Sequence, residues 1–172
     1  MLENERIKEA ETNVRGYLHE NLIKKENFKP IVYDTYMRNH RESLLLAKKI
    51  FEEKSSCLWT IVISYYSMFY IANAILYKLG YKIGSKVAHK VTSDALIIFV
   101  RNKIKDQLIE DYDLASSEAL QISDNLLQSY DLELGKRSRF QYEFTEEIKI
   151  AKAETSLKRA QEFSKEMEKL LF

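Results

Sequence analysis

Apolar residues recur every three to four positions along most of this chain, the spacing that lines up one face of a helix. Ile7, Ala10, Val14, Tyr17 or Leu18, and Leu22 form the first such run and predict an amphipathic helix over Glu3–Lys25. Asn27 to Pro30 breaks it. Tyr33, Met37, His40, Leu44, Ala47 and Phe51 predict a second helix over Val32–Lys54. Ser55 or Ser56 is placed to cap a third, which runs to Leu79 and is ended by Gly80. Beyond the short connection Gly80–Gly84, Ser85 opens a fourth helix through Asn102, with Ala88, Val91, Ala95, Ile98 and Phe99 inward. A brief helical piece near Asp106–Asp111 comes next. The following helix spans Leu114–Leu134, with Leu120, Ser123 or Asp124, Leu127, Tyr130 and Leu134 aligned. Thr145 caps the last helix, where Glu146 and Glu147 suit the positive end of the macrodipole. Its inner face is Ala153, Leu157, Ala160, Met167 and Leu171.

The third helix differs from the rest. From Cys57 to Tyr77 it carries no charge, over a length sufficient to cross a bilayer. Ser64, Ser67, Asn73 and the tyrosines Tyr65, Tyr66 and Tyr70 near its middle oppose insertion, because tyrosine prefers the membrane interface. Its amphipathic neighbours also need an apolar partner to cover. A buried central helix is therefore expected, and no membrane.

Composition fixes the fold class. Four glycines and one proline in 172 residues cannot supply the turns that a sheet-rich fold requires. An all-α protein is predicted, an antiparallel up-and-down bundle of five to six helices. With 45% apolar and 31% charged residues, the chain is too apolar for disorder and long enough for one domain with a real core. A formal charge of +1 gives no global electrostatic case for nucleic acid. Its distribution is uneven: no acidic residue lies between Glu53 and Asp94, whereas Lys54, Lys78, Lys82, Lys86 and Lys90 do. The single cysteine, Cys57, excludes an intrachain disulfide and a CxxC motif, and reads as a buried thiol in a reducing cytosol. The charged opening MLENERIKEAE is not a secretory signal, so the expected location is cytoplasmic.

Most familiar enzyme chemistry is missing. The chain has no glycine-rich phosphate loop and no GxSxG. His19, His40 and His89 are too scattered for a metal site, so neither metal nor cofactor is expected. Acidic residues fall at helix-surface spacing rather than as a catalytic pair. Gly135–Phe144 stands out instead. Lys136, Arg137 and Arg139 crowd four positions between two long helices. Arginine offers a planar fork of donors to a phosphate, and Tyr142 adds a ring face and a hydroxyl. The same residues also fit an exposed basic corner anchored by Phe140 and Phe144. Lys78, Lys82, Lys86 and Lys90 recur every fourth residue, beside Tyr77 and Tyr81. They form either a solvated connector or a basic rim that guides an RNA backbone toward Arg137 and Arg139.

Ser64-Tyr-Tyr-Ser-Met-Phe-Tyr-Ile-Ala-Asn-Ala-Ile-Leu76 resembles the long helix of HEPN (higher eukaryotes and prokaryotes nucleotide-binding) domains. Gly80 follows at the right distance, and Ser85–His89 is similar to the small-residue-plus-histidine start of that family's next helix. Arg137-x4-Tyr142 resembles the arginine-to-tyrosine motif of a prokaryotic branch, and Ala160-Gln-Glu-Phe163 fits its last helix. The likeness spans Leu44–Phe172. It implies a single HEPN-like domain over 1–172, with 1–43 as an N-terminal helical extension and 44–172 as the core bundle.

The resemblance implies an antiparallel bundle, often a homodimer. Catalytic members are metal-independent ribonucleases with an arginine-x4–6-histidine motif in a cleft between subunits. Many act as toxins or in antiviral defence, some paired with a minimal nucleotidyltransferase as antitoxin. Tyr142 stands where the motif histidine would fall. With an ordinary pKa of about 10, tyrosine is a poor base at neutral pH. His89 is then the nearby candidate by family topology, as a substitute base or as a structural, partner-contacting residue. Three readings follow. One is a ribonuclease or toxin-like dimer in which Arg137 stabilises phosphate charge, Arg139 assists and Tyr142 orients the substrate. Another is a non-catalytic module that binds a nucleotide, RNA or a nucleotidyltransferase partner. The third is a purely structural helical protein.

Overall fold

The computed structural model of the chain describes residues 2–132 and 146–171, and within them the side chains of 2–124 and 149–171. Six α-helices lie in this portion: α1 Asn4–His19, α2 Pro30–Glu52, α3 Cys57–Lys78, α4 Ala88–Phe99, α5 Asp106–Leu132 and α6 Glu146–Glu168. The expected all-α bundle is the observed architecture. Single 3-10 turns follow α4 at Arg101–Lys103 and α6 at Lys169–Leu171.

Backbone chemistry sets the helix ends. Asn21 adopts φ 58°, the left-handed conformation that asparagine tolerates best after glycine. The Leu22 amide then donates to the Tyr17 carbonyl at 2.8 Å, a Schellman closure that stops α1 short of the expected Lys25. Lys54, at φ 53°, ends α2 in the same way, with the Ser55 amide on the Ile50 carbonyl at 3.0 Å. Pro30, with its fixed φ and missing N–H, opens α2. Ser56 caps α3 by accepting from the Trp59 amide at 3.2 Å. Gly80, at φ 90°, terminates it.

A small sheet was not legible in the periodicity. Ile23–Lys25 (β1) follows α1 and Tyr81–Ile83 (β2) follows α3, pairing antiparallel with Ile23 opposite Ile83 and Lys25 opposite Tyr81. Both isoleucines point into the core, 1% and 7% exposed. The Gly84 amide extends the ladder to the Leu22 carbonyl at 2.8 Å. A Cβ at Gly84 would sit 3.3 Å from that oxygen, a tight contact with backbone that glycine avoids.

The central helix is α3, which packs chiefly against α2 and α6 and also against α4 and α5. Its buried positions face nearly every direction, from Thr60 and Ile61 to Leu76 and Tyr77. It is the one helix among the described residues with the length and apolarity of a membrane span, and 67% of that apolar window is buried inside the protein. The main core gathers Tyr65, Met68, Ile71 and Leu76 from α3, Leu96 from α4, Tyr112 from α5, and Phe163 and Met167 from α6. Full burial of each such side chain contributes roughly 1.5–3 kcal/mol. Val14, Ile23 and Met37, from the first forty residues, belong to the same cluster.

Two helices differ from their expected bounds. Val87 takes φ 45°, so α4 begins at Ala88 rather than Ser85. No glycine or proline falls within Asp106–Leu132, and α5 is continuous where a separate short piece was expected. Its seam runs through Leu108, Tyr112, Ala115, Ala119 and Ile122, alternating four and three residues. Leu120 and Ser123 are only half-buried and Asp124 is exposed, so the expected inner face was rotated away from the true one. Leu127, Tyr130, Leu134 and Thr145 lie outside the described side chains. In α6, Ala153, Leu157, Ala160 and Met167 are buried as expected, while Leu171 is half-buried.

Candidate functional site

Lys136, Arg137, Arg139 and Tyr142, with Ser138, Phe140 and Phe144, lie outside the described residues. The described candidates are Lys86, in the turn before α4, and His89 and Lys90 in its first turn.

His89 is the second residue of α4, and the α3 tyrosine pair receives it. Its Nδ1 lies 2.6 Å from the Tyr65 hydroxyl. Its ring centroid is 4.7 Å from that of Phe69, 5.4 Å from Tyr65 and 5.8 Å from Tyr66. Tyr65 and Phe69 sit four residues apart on α3, so one helix face presents both rings to α4. From α5, the Ser116 hydroxyl donates to the Tyr65 oxygen at 3.0 Å. Tyr112 is close by, its ring 5.8 Å from that of Tyr65. The Tyr112 hydroxyl is buried close to those of Tyr65 and Thr92.

Burial fixes the protonation of this group. It pushes the Tyr65 hydroxyl up to about 12, so the phenol keeps its proton at neutral pH. It lowers the His89 pKa from its ordinary 6.5, so the imidazole is neutral there. With Ser116 donating to Tyr65, the Tyr65 proton points to His89 Nδ1. We assign the remaining ring proton to Nε2 from this pattern. In that tautomer Nε2 is a hydrogen-bond donor rather than a proton acceptor.

The lysines meet different partners. Lys78 closes α3 and its ammonium donates to the Leu171 carbonyl. Lys82, in the middle of β2, pairs with Glu26 at 3.1 Å. Lys90, on α4, lies 3.9 Å from Glu9. Lys86 precedes α4, is exposed, and has no ion pair among the described residues.

A polar cluster that sequence reasoning did not find joins α1, α4 and α5. Asp94 is fully buried and accepts from three side chains: Arg6 Nη1 at 2.6 Å on one oxygen, and Asn13 Nδ2 and the Tyr17 hydroxyl at 3.0 Å each on the other. Arg6 Nη2 reaches Ser93 Oγ at 3.0 Å and Asp113 at 3.5 Å, and the Ser93 hydroxyl donates to Asp113. Burial first, and then the Asp94 hydrogen bond, raise the Tyr17 pKa. Burial also raises that of Asp113, against the Ser93 hydrogen bond and Arg6. The signal lay in the sequence as the lone acid of the apolar run Val91–Phe99. Both Asp94 oxygens are occupied by protein donors, which makes the cluster a strut between helices rather than a reactive centre.

His40 is buried on α2, as its inner-face position implied, with Nδ1 2.9 Å from the Ser67 carbonyl. No group of histidine, cysteine and acidic side chains among the described residues is arranged to hold a metal. Cys57 is the first residue of α3 and is half-buried rather than fully buried, because it sits at the open end of the helix. No protein-family model, curated protein or solved structure matches the chain.

Proposed function

We propose that this chain is an HEPN-type RNA-targeting module that binds single-stranded RNA without cleaving it. Arg137 and Arg139 grip the phosphates, Tyr142 lies against a base, and His89 donates a hydrogen bond from Nε2. The observation that supports this reading is the Tyr65–His89 hydrogen bond at 2.6 Å. It joins the two segments that carry the family resemblance, the Ser64–Leu76 helix and the Ser85–His89 start. Binding is favoured over cleavage because the family's motif histidine is Tyr142 here. His89, with Nδ1 accepting from Tyr65, has no basic nitrogen to offer a 2′-hydroxyl. By the same resemblance the working unit is a homodimer, and a minimal nucleotidyltransferase is a candidate partner.

The test is incubation of the purified protein with end-labelled single-stranded RNA in EDTA, beside Arg137→Ala. We expect filter retention by the wild type, at least tenfold weaker retention by the variant, and intact RNA throughout. Cleavage that disappears in Arg137→Ala would replace this reading with the ribonuclease one. RNA that is neither held nor cut would remove both.

A further inference from the structure

One face of the most apolar helix is left partly open. Trp59, Ile63, Tyr66 and Tyr70 are spaced four, three and four residues apart on α3, which sets them on one side of it. Trp59 is 52% exposed and the other three are half-buried. Phe69 and His89 border this face toward α4. The ring centroids of Tyr66 and Phe69 are 6.2 Å apart, those of Tyr66 and Tyr70 also 6.2 Å, and those of Phe69 and His89 4.7 Å.

The ring angles separate this cluster from a core stack. Tyr81 and Phe99 lie parallel at 3.9 Å and 15°, each covering the other's face. Tyr66 meets Phe69 at 79° and His89 at 80°, and Tyr70 at 39°. No two rings of this patch are stacked face to face, and Tyr66 and Phe69 are half-buried rather than sealed in the core.

Charge selects the occupant. The chain has no acidic residue between Glu53 and Asp94, so neither α3 nor the turn into α4 repels a phosphate. Lys86 is exposed three residues before His89, with Val87 between them. Val87 is 62% exposed and holds φ 45°, a strained conformation for a β-branched residue that fixes the shape of this turn. A ring face and a neutral imidazole N–H donor, with an exposed lysine three residues earlier in the chain, match a base and its adjoining phosphate.

We propose that Tyr66, Phe69 and His89 form a stacking site for an unpaired base of single-stranded RNA, with Lys86 on the adjoining phosphate. This rests on the RNA-binding reading and adds a second point of contact, remote in sequence from Arg137.

Trp59, the only tryptophan, shares the α3 face and is a built-in probe. The experiment titrates the full chain with a short oligouridylate and, separately, a blunt RNA duplex, following Trp59 fluorescence and filter retention. Tyr66→Leu and Phe69→Leu keep an apolar side chain at each position, and far-UV circular dichroism checks that they fold. We expect single-stranded RNA to quench Trp59, the duplex to leave it unchanged, and each leucine variant to bind about tenfold more weakly. If the wild type retains RNA while Trp59 emission stays constant and both variants bind as it does, the stacking site is wrong and the RNA-binding reading stands. If the wild type retains no RNA, both fall. If Trp59 emission changes with protein concentration alone, in step with a doubling of mass that the leucine variants abolish, the face is covered by a second copy and the proposal is overturned.

Discussion

The guanidinium of Arg6 and the carboxylate of Asp94 meet at 2.6 Å, although 88 positions of chain separate them. Asp94 has no exposed side-chain surface, whereas Arg6 keeps 26% of its own. Removing one partner leaves the other's charge in a poorly hydrated place. Asp94→Ala is predicted to cost about 3 kcal/mol, read as a lower urea midpoint. Tyr17→Phe removes only one of the three donors and should cost about 1 kcal/mol. An Asp94→Ala midpoint equal to that of the wild type would show that the strut contributes nothing to stability.

Acid should weaken the fold through buried His40 and half-buried His89. Burial lowers the pKa of His40 and of His89 below 6.5. Between those folded values and 6.5 the unfolded chain binds more protons, so stability is highest above 6.5 and drops as the pH falls through that window. Asp113, whose pKa is raised above 3.8, acts in the opposite sense, because its burial penalty is relieved as it protonates. His40→Gln is predicted to flatten the loss between pH 7.5 and 5.5 in chemical denaturation. The same pH slope in both proteins would exclude His40 as a source.

Two left-handed residues predict opposite outcomes. Val87 pays for φ 45° with little burial in return, so Val87→Gly should stabilise by up to about 1 kcal/mol. Gly80 holds φ 90° with nothing within 4 Å of a would-be Cβ. Gly80→Ala therefore costs the backbone term alone, about 1–2 kcal/mol. Thermal melts of the two variants should bracket the wild type.

The proton position on His89 is directly observable. Nitrogen-15 spectra of histidine-labelled protein at pH 7.5 should show His89 protonated at Nε2, with an unprotonated Nδ1. Tyr65→Phe removes the donor and should move the Nδ1 signal. A proton found on Nδ1 in the wild type would reverse the relay from Ser116 and restore a basic Nε2.

Helices with one strong apolar stripe could be read from the chain. Met37, His40 and Ala47 of α2, and Ala153, Ala160 and Met167 of α6, are buried where periodicity put them. Failures arose where distant contacts decide the outcome. Three-residue strands are too short to show alternation, and Ile23 gains meaning only from Ile83. On α5, alanines at 115 and 119 mark the true seam, but alanine contributes little to an apolar pattern. Val87 hides its left-handed turn because nothing in valine signals one. For the candidate site, the sequence pointed to His89 and to the Lys136–Phe144 segment. The partner that orients His89, Tyr65, stands out in the sequence only as part of the Ser64–Leu76 pattern, since a hydroxyl contact between two helices leaves no trace in spacing.

The β1–β2 clasp has a kinetic consequence. It joins the α1–α2 connection to the α3–α4 connection, and its three paired positions cannot form until the intervening α2 and α3 hairpin has brought their ends together. Local helices and the α2–α3 pair can assemble early, whereas the clasp must close late. Mutations at Ile23 or Ile83 should therefore accelerate unfolding far more than they slow refolding.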